Sequence, residues 1–470
     1  MRRPTGCFEQ TSATTYPLTL AHQAIMRSPQ HSSAELERSR AYLQQGYDRL
    51  LGFACRDGGF EWFGRGEGHV GLSAFGLVMF DDLKRIGIAS DPTLITRLQQ
   101  WLRLHIGAQG QVLPTSNRGH HHWDVAGPIL DTYVFWALAH TNSQPPAIMT
   151  ARVADHLHTI GDQHAWLRLV AGQGFAALGD TKQATALLNS IRSDEHGRIQ
   201  DIGNGSLHSN TNSIAVEAAA RAILLALELG WTRDRVEAWV SFINRHERLG
   251  RFGTTQATAL ALAALHAIEQ RYPSQSLRGH LTLIDARDQQ IIRRWPVDDT
   301  APRSVALNLD RSDLDHLIIR WDGSPDLPWQ AVVRGQLLHP ISMTDPPLEM
   351  HLGPLPDTIR LGDPVDLELV ITATDSIATP IACIGLSAGI QIRADRLDEL
   401  VEAGQIAAWE IHGPHVVLYF RHLDPGIHRL RLAAIADIPG TFLGQAGYIQ
   451  PYYNDEQRFW SPPLQVHIAP

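Results

Sequence analysis

The chain opens on the stretch Pro4-Thr-Gly-Cys-Phe-Glu-Gln-Thr-Ser12, in which a cysteine, Cys7, lies three residues before a glutamine, Gln10. Side chains separated by three positions face the same side of a helical turn. We therefore expect the thiol of Cys7 to lie within reach of the side-chain carbonyl of Gln10. Attack of the thiolate on this amide, with loss of ammonia, would form an internal thioester, an acyl donor that exists before any target arrives. The spacing alone also fits an ordinary buried cysteine beside the first turn of a helix.

The two halves of the 470-residue chain differ in composition. Residues 1–272 are rich in Ala, Leu and Gln at helical spacing, and in stretches such as 215–229 and 257–268 the apolar positions cover most of the helix surface. Such helices are buried on more than one side. From residue 277 onward, short alternating apolar runs are separated by Pro and Gly, which predicts the strands of a β-sandwich. The sequence therefore predicts an α region followed by β domains.

A glycine-containing loop recurs before the predicted helices of the first half. It is found at Asp57-Gly-Gly-Phe60, Gln109-Gly-Gln-Val112, His196-Gly-Arg-Ile199 and Leu249-Gly-Arg-Phe-Gly253. The interval is about 50 residues, with one gap nearly twice as long, which indicates a repeated unit of a helical hairpin and a loop. Such units bury their faces only by stacking on neighbours, and when closed into a ring they form an α/α toroid.

Terpene cyclases and prenyltransferase subunits are also toroids, so an enzyme of that type is an alternative. Its chemistry would need a run of aspartates to hold a diphosphate or to supply the initiating proton. The doublets Asp81-Asp82 and Asp298-Asp299 do not extend to such a motif. Solvated surface acids are the simpler interpretation of both.

The string Gly6-Cys-Phe-Glu-Gln-Thr-Ser12 resembles the thioester motif of the bacterial α2-macroglobulin family, whose wider family writes it Gly-Cys-Gly-Glu-Gln. Phe8 stands where the wider family has a glycine, and the Cys, Glu and Gln are kept. The segments 57–75 and 251–265 are similar to loops of the thioester-containing domain of α-macroglobulins and complement proteins.

The resemblance covers nearly the whole chain and implies three domains. Residues 1–272 would form the α/α-toroid thioester-containing domain, 273–340 the second half of a CUB-like β-domain, and 345–470 the C-terminal receptor-binding-type β-sandwich. The helix expected at 396–403 of that sandwich lies in an acidic segment. In animal members, lysines near this helix contact a clearance receptor, so the acidic segment argues against the same role here.

The resemblance assigns Cys7 and Gln10 to an isoglutamyl cysteine thioester. A lysine amine or a hydroxyl group of a bound protein would open it, and the Cys7 thiolate would leave because its pKa is far below that of an alcohol. In some family members a histidine in a later loop assists transfer to hydroxyl groups. The run His120-His121-His122 lies in the corresponding region. At most one of the three would act, and a solvated loop run is the alternative.

A thioester hydrolyses in water, so neighbouring side chains are expected to shield it. Phe8, Tyr16 and the pair Trp62-Phe63 are candidates for this shield, with ordinary packing as the alternative for each. Glu9 is expected to be structural.

The resemblance implies a single-turnover capture module and not an enzyme in the ordinary sense: the reactive C-terminal part of a broad-spectrum endopeptidase inhibitor. Its partners would be target proteases and an N-terminal macroglobulin-domain chain or missing segment, because the family's bait segment and N-terminal β-domains are absent from this sequence. A periplasmic, cell-envelope or extracellular location is implied, yet the Met1-Arg-Arg start leads into the motif without the apolar region of a signal peptide. A non-reactive binding module is a further alternative.

Composition excludes several other classes. The net charge of −9 argues against nucleic acid and anionic membranes as partners, and no apolar run is long enough to span a bilayer. The three cysteines, Cys7, Cys55 and Cys383, are too few for a disulfide framework, although a Cys55–Cys383 bridge is an alternative to two buried thiols. No Cys–His spacing resembles a zinc site, and no metal or cofactor is expected.

Overall fold

The structure is a computed structural model that describes residues 4, 6–27, 33–64, 66–113, 115, 127–203, 205, 211–247, 251–272, 278–298, 315–324, 342–452 and 457–470. Two compact units are distinguished. Met1–Ala267 and Leu337–Pro470 form one unit, and Ile268–Gln336 form the other. The predicted domain boundaries at 272, 340 and 345 stay predictions.

Helices alone make up the described part of the chain before residue 272, apart from loops. They are α1 (Phe8–Arg27), α2 (Ser33–Leu51), α3 (Val70–Arg85), α4 (Leu94–Leu104), α5 (Pro128–His140), α6 (Ala147–Thr159), a 3-10 turn (Gly161–Gln163), α7 (Ala165–Ala177), α8 (Thr181–Asn189), α9 (Thr211–Glu228), α10 (Arg233–Arg245) and α11 (Thr255–Arg271). The predicted helical character of this region is thus confirmed. The predicted stretch 215–229 falls on α9, which begins four residues earlier and ends one residue earlier, and 257–268 lies within α11.

The helices divide into two layers. Helices α3, α5 and α7 are buried over nearly their whole surface, whereas α4, α6, α8 and α10 bury only one face. Each buried helix packs on the next one, α3 on α5, α5 on α7 and α7 on α9, and each carries an amphipathic partner on its outer side. This arrangement of inner and outer helices is the α/α toroid that the repeat predicted.

Three loops of the repeat have the same local structure. Each closes with a small antiparallel bridge, at Ala54–Phe60, Ile106–Val112 and Ser193–Ile199. Each contains a glycine with positive φ, namely Gly58, Gly110 and Gly197. A Cβ at Gly197 would lie 2.1 Å from the carbonyl oxygen of Ala238, so this glycine is required both by its backbone angle and by close packing. The recurring glycine of the sequence therefore has a structural cause.

Helix α1 contains hydroxyl residues that are unusual in a buried helix. The hydroxyls of Ser12, Thr14, Thr15 and Thr19 each donate to the carbonyl oxygen four residues earlier. These bonds satisfy the hydroxyl groups within the helix, so α1 can lie in the toroid without other polar partners for them.

The smaller unit contains a three-stranded antiparallel sheet in its described residues. The strands are β1 (Arg278–Asp285), β2 (Ile291–Val297) and β3 (Leu317–Ser324), in the order β2-β1-β3. The alternating apolar runs between 277 and 337 predict four or five strands. One of these runs, at 305–309, lies outside the described residues.

The C-terminal region is a β-sandwich with one helix. Its elements are β4 (Leu348–Leu352), β5 (Ile359–Arg360), β6 (Pro364–Ala373), β7 (Ile377–Ala378), β8 (Pro380–Gly385), β9 (Ile390–Ile392), α12 (Ala394–Glu402), β10 (Ala408–His412), β11 (His415–Tyr419), β12 (His422–Leu423), β13 (Gly426–Ala436), β14 (Gly440–Leu443), β15 (Gly447–Pro451), β16 (Phe459–Ser461) and β17 (Gln465–Ala469). The two larger sheets have the orders β10-β11-β8-β15-β16 and β4-β6-β13-β9.

The five-stranded sheet is buried on both faces at its centre. Side chains of β8 and β11 alternate between the sandwich core, which holds Ile384 and Leu418, and the opposite face, which holds Cys383 and Tyr419. Phe63 of the helical region packs against that opposite face. The period-two geometry of a strand therefore directs every second side chain of β11 toward the start of the toroid.

Candidate thioester site

The Cys-x-x-Gln motif forms the beginning of α1. Cys7 occupies the N-cap position, and the side-chain Oε1 of Gln10, the third helical residue, accepts a hydrogen bond from the backbone N–H of Cys7 at 3.0 Å. The backbone N–H groups of Glu9 and Gln10 donate in turn to the Cys7 sulfur. This is the reciprocal pattern of a capping box, with cysteine in the place of the usual serine or threonine. The spacing of the motif is thus the spacing that helix capping requires.

Gly6 lies directly against the Gln10 side chain. Its φ of 85° is in the left-handed region, and a Cβ at this position would lie 1.7 Å from Gln10 Oε1. Its carbonyl oxygen accepts hydrogen bonds from the Nε and Nη2 of Arg49. Only glycine allows both this backbone angle and this position of the glutamine side chain.

The thiol of Cys7 is protonated at neutral pH. Burial raises its pKa to about 12, and the charge of Glu9 adds to the rise, while the N–H groups of Gln10 and Glu9 and the hydroxyl of Tyr452 act in the opposite direction. The same donors stabilise negative charge on the sulfur once it forms. The donors at this first helical turn thus reduce, without cancelling, the cost of negative charge on the buried sulfur.

A tyrosine from the sandwich covers the glutamine. The hydroxyl of Tyr419, the last residue of β11, donates to Gln10 Oε1 at 3.0 Å and lies 3.3 Å from Glu410 Oε2. Its ring packs on Phe63 with 5.9 Å between ring centroids. Burial, followed by the charges of Glu410 and Cys7, raises the pKa of Tyr419 far above its ordinary value, so this hydroxyl stays a donor.

An ion pair joins the helical region to the sandwich beside this tyrosine. Nη2 of Arg49 lies 2.7 Å from Glu410 Oε1, and the side chains are 40% and 19% exposed. Nε of Arg49 also donates to the hydroxyl of Thr11, so one guanidinium contacts α1, the Gly6 carbonyl and the sandwich. His412 approaches the other carboxylate oxygen of Glu410 at 2.7 Å.

Most of the residues predicted as a shield have other contacts. Phe8 packs against Phe60 and Phe80 inside the toroid, and the hydroxyl of Tyr16 donates to Asp82 at 2.6 Å. Trp62 Nε1 donates to Glu9 Oε2 at 3.2 Å, which is a structural contact for this buried carboxylate. Of the predicted aromatic residues, Phe63 is the one whose ring meets Tyr419.

Other predicted groups are settled by their surroundings or lie outside the described residues. His120, His121 and His122 belong to the undescribed stretch 116–126, and Asp299 is also undescribed. Asp81 and Asp82 form ion pairs with Arg85 of the same helix. The alternative of a Cys55–Cys383 bridge is wrong, because Cys7, Cys55 and Cys383 are all free and buried.

Within the part of the chain that the structure describes, no group of His, Cys, Asp and Glu is placed to hold a metal ion. None of the helices in this part of the chain has the length and apolar character needed to cross a membrane.

Sequence reasoning missed the sandwich half of the site. Tyr419, Glu410 and Tyr452 lie 400 or more positions after Gln10. The available signal was the run Val416-Val-Leu-Tyr419, in which consecutive apolar residues indicate a strand buried on both faces. Arg49 carried no signal, because an arginine near a helix end is common.

The fold is an α/α toroid with a C-terminal β-sandwich, and the site is a buried cysteine beside a glutamine at the start of the first helix. Residues 1–164 match the family model of the A-macroglobulin TED domain. The helical region of the chain is therefore similar to that domain family.

Solved structures share the fold of the whole chain. A mutant of Salmonella α2-macroglobulin matches with a TM-score of 0.71 and 18% identity, over 100% of this chain and 30% of that one. The Salmonella protein reacted with methylamine matches with a TM-score of 0.69 and 19% identity, over the same shares. A native C-terminal portion of Escherichia coli α2-macroglobulin matches with a TM-score of 0.64 and 17% identity, over 99% of this chain and 74% of that one. The chain thus spans 30% of the length of the Salmonella proteins.

Proposed function

We propose that this chain is a covalent protein-capture module, the reactive C-terminal part of an α2-macroglobulin-like inhibitor of endopeptidases. The observation that carries the proposal is the position of the Gln10 carbonyl, whose oxygen accepts from the backbone N–H of the cysteine that would attack it. In this geometry the Cys7 sulfur and the Gln10 side chain share one helical turn. The product is a thioester between them and one molecule of ammonia.

Capture then follows from the chemistry of the thioester. An amine of a target protein attacks the acyl carbon of Gln10, the bond to sulfur breaks, and the target is held by an amide bond. The thiolate of Cys7 is the leaving group, and the N–H groups of Glu9 and Gln10 stabilise its charge. Each molecule reacts once, so the module is not a catalyst in the ordinary sense.

The sandwich protects the acyl donor until a target arrives. Cys7 is 5% exposed, the Tyr419 hydroxyl contacts the glutamine side chain, and the Tyr419 ring packs on Phe63. The ion pair of Arg49 with Glu410 is close to the surface, and pairs of this kind contribute only about 0–1 kcal/mol. The contact between sandwich and toroid can therefore open without a large electrostatic penalty, and opening exposes the thioester.

The partners and the location are proposals from the family. Target proteases would be held through lysine or hydroxyl groups, and an N-terminal macroglobulin segment would supply the protease-sensing part. A periplasmic, cell-envelope or extracellular location agrees with this role. Transfer to hydroxyl groups would depend on one of His120, His121 and His122, whose role stays a prediction.

Intact mass measurement of freshly purified protein, with and without methylamine, tests the proposal. We expect a mass one ammonia below that of the sequence, and a mass gain of one methylamine after treatment. Cys7 should become alkylatable only after the amine has reacted. Gln10→Ala is the control, and it should show neither the mass loss nor the methylamine gain. A wild-type mass equal to that of the sequence, with Cys7 free from the start, would favour a non-reactive binding module.

A further inference from the structure

We infer that the hydroxyl of Tyr419 and the backbone N–H of Cys7 form an oxyanion hole that catalyses formation of the thioester. The inference rests on the proposed function, since it concerns the step that creates the thioester. It goes beyond a shielding role, because it assigns chemistry to a single O–H group supplied by the sandwich.

The step has a defined charge movement. The Cys7 sulfur attacks Cδ of Gln10, and the carbonyl oxygen carries negative charge in the tetrahedral intermediate. The carbon–nitrogen bond then breaks, the thiol proton passes to the nitrogen, and ammonia leaves. An amide is a poor acyl donor, so stabilisation of the oxygen charge lowers the barrier to this step.

Two donors already point at that oxygen. The N–H of Cys7 and the O–H of Tyr419 each lie 3.0 Å from Gln10 Oε1. Oxyanion-hole donors act at about 2.7–3.1 Å from the oxygen. The Cys7 N–H also decides which side-chain atom of Gln10 is the oxygen, because a nitrogen in its place could not accept that bond. Both donors therefore hydrogen-bond to the oxygen atom on which negative charge develops.

The proton of Tyr419 is available for Gln10. A hydroxyl carries one proton, and the second acceptor near it, Glu410 Oε2, is farther away at 3.3 Å. The carboxylate of Glu410 already has shorter contacts, with Arg49 and His412 at 2.7 Å each. Arg49 and His412 supply the partners that the carboxylate needs, so the nearer acceptor, Gln10, receives the hydroxyl proton.

The two donors come from parts of the chain that lie far apart in sequence. Cys7 and Gln10 begin the toroid, while Tyr419 ends β11 of the sandwich. The complete hole exists only when the sandwich lies against the toroid. Thioester formation is thereby coupled to closure, so that the reactive bond forms where it is already covered.

The test measures loss of the Gln10 amide after pulse synthesis of the full chain in a cell-free system. Samples are quenched at intervals, and the amounts of thioester and of its hydrolysis product Glu at position 10 are summed by mass spectrometry. This sum reports formation even if a variant hydrolyses faster. Tyr419→Phe keeps the ring on Phe63 and removes the hydroxyl. We expect formation to be slowed by about 100-fold, the effect of removing one oxyanion-hole donor.

Tyr448→Phe is the matched control. This tyrosine belongs to the same sheet and its hydroxyl interacts with Cys383, not with Gln10. The Tyr448→Phe variant should form the thioester at the wild-type rate. If Tyr419→Phe is unstable, 3,5-difluorotyrosine at position 419 replaces it as the probe. Its more acidic hydroxyl is a stronger donor and should accelerate formation, and an unchanged rate would count against the inference.

The outcomes separate the two proposals. Equal rates for wild type and Tyr419→Phe overturn the oxyanion role and leave capture intact. No loss of the amide in the wild-type chain overturns both. Slow formation in Tyr419→Phe but not in Tyr448→Phe supports the catalytic hydroxyl, and slowing in both variants indicates a general effect of the sheet and overturns it.

Discussion

Substitution of Gly6 by alanine should abolish the acyl donor while leaving the toroid folded. The added Cβ would lie 1.7 Å from Gln10 Oε1, so the glutamine side chain must leave its position. The left-handed backbone costs about 1–2 kcal/mol for a residue with a Cβ. Loss of the two hydrogen bonds to Gln10 Oε1 adds about 0.5–1.5 kcal/mol for each bond. The free energy of unfolding should therefore fall by about 2–5 kcal/mol.

Gly179→Ala provides a matched control for this prediction. Gly179 has a φ of 84°, against 85° at Gly6, but no atom lies within 4 Å of the position of its Cβ. It should lose only the backbone component of about 1–2 kcal/mol and should still form the thioester. Urea denaturation followed by tryptophan fluorescence measures stability, and intact mass measures ammonia loss. Ammonia loss at the same rate in both variants would refute the argument that Gly6 is needed to hold Gln10.

Three further predictions concern charge. In a double-mutant cycle with Arg49→Met and Glu410→Gln, the coupling energy between the two side chains should be about 0–1 kcal/mol. Methylamine should nevertheless react faster with each single variant than with the wild type. Unchanged reaction rates would show that the ion pair does not keep the sandwich closed. Burial raises the pKa of the Cys7 thiol to about 12. Before the thioester forms, Cys7 should therefore be alkylated about 1000-fold more slowly at pH 8 than an exposed cysteine, and the rate should rise toward pH 12. Rapid alkylation of the natively folded chain at pH 8 would contradict this. Burial raises the pKa of Asp131, but hydrogen bonds from His156 and the Val112 N–H outweigh burial, so the pKa of this carboxyl is lowered overall. The ionised carboxylate therefore stabilises the fold above its unfolded pKa, and this stabilisation should be lost as pH falls through the folded pKa. Asp131→Asn should lower the free energy of unfolding in urea by about 3 kcal/mol and remove this acid dependence.

The sequence was sufficient for features that depend on neighbouring residues. The three-residue spacing of Cys7 and Gln10 is a property of one helical turn, so their proximity follows from the first ten residues. The glycines of the repeat loops have positive φ, which a residue with a Cβ adopts only at a cost, so these loops are also readable from sequence. The same holds for the inner helices, because a helix that is apolar all round must be enclosed.

The shield was predicted less well, for a physical reason. Aromatic residues close to Cys7 in sequence, such as Phe8 and Tyr16, were natural candidates. In a helix, however, successive side chains point in different directions, and these two fill the toroid interior. Their ring contacts are therefore with other aromatic residues of the toroid, although they are close to Cys7 in sequence.

The sandwich half of the site was decided by tertiary structure alone. Tyr419 and Gln10 are separated by 409 positions, and Arg49 and Glu410 by 361. Their meeting depends on the register of β8 with β11, which sets the face that carries Tyr419, and on the packing of that face against Phe63. A shift of one residue would turn Tyr419 into the sandwich core and leave Gln10 without its second donor. The sequence by itself determined that a cysteine and a glutamine meet on one turn, because helical geometry is local; what covers them was decided by strand register and docking, which no local pattern encodes.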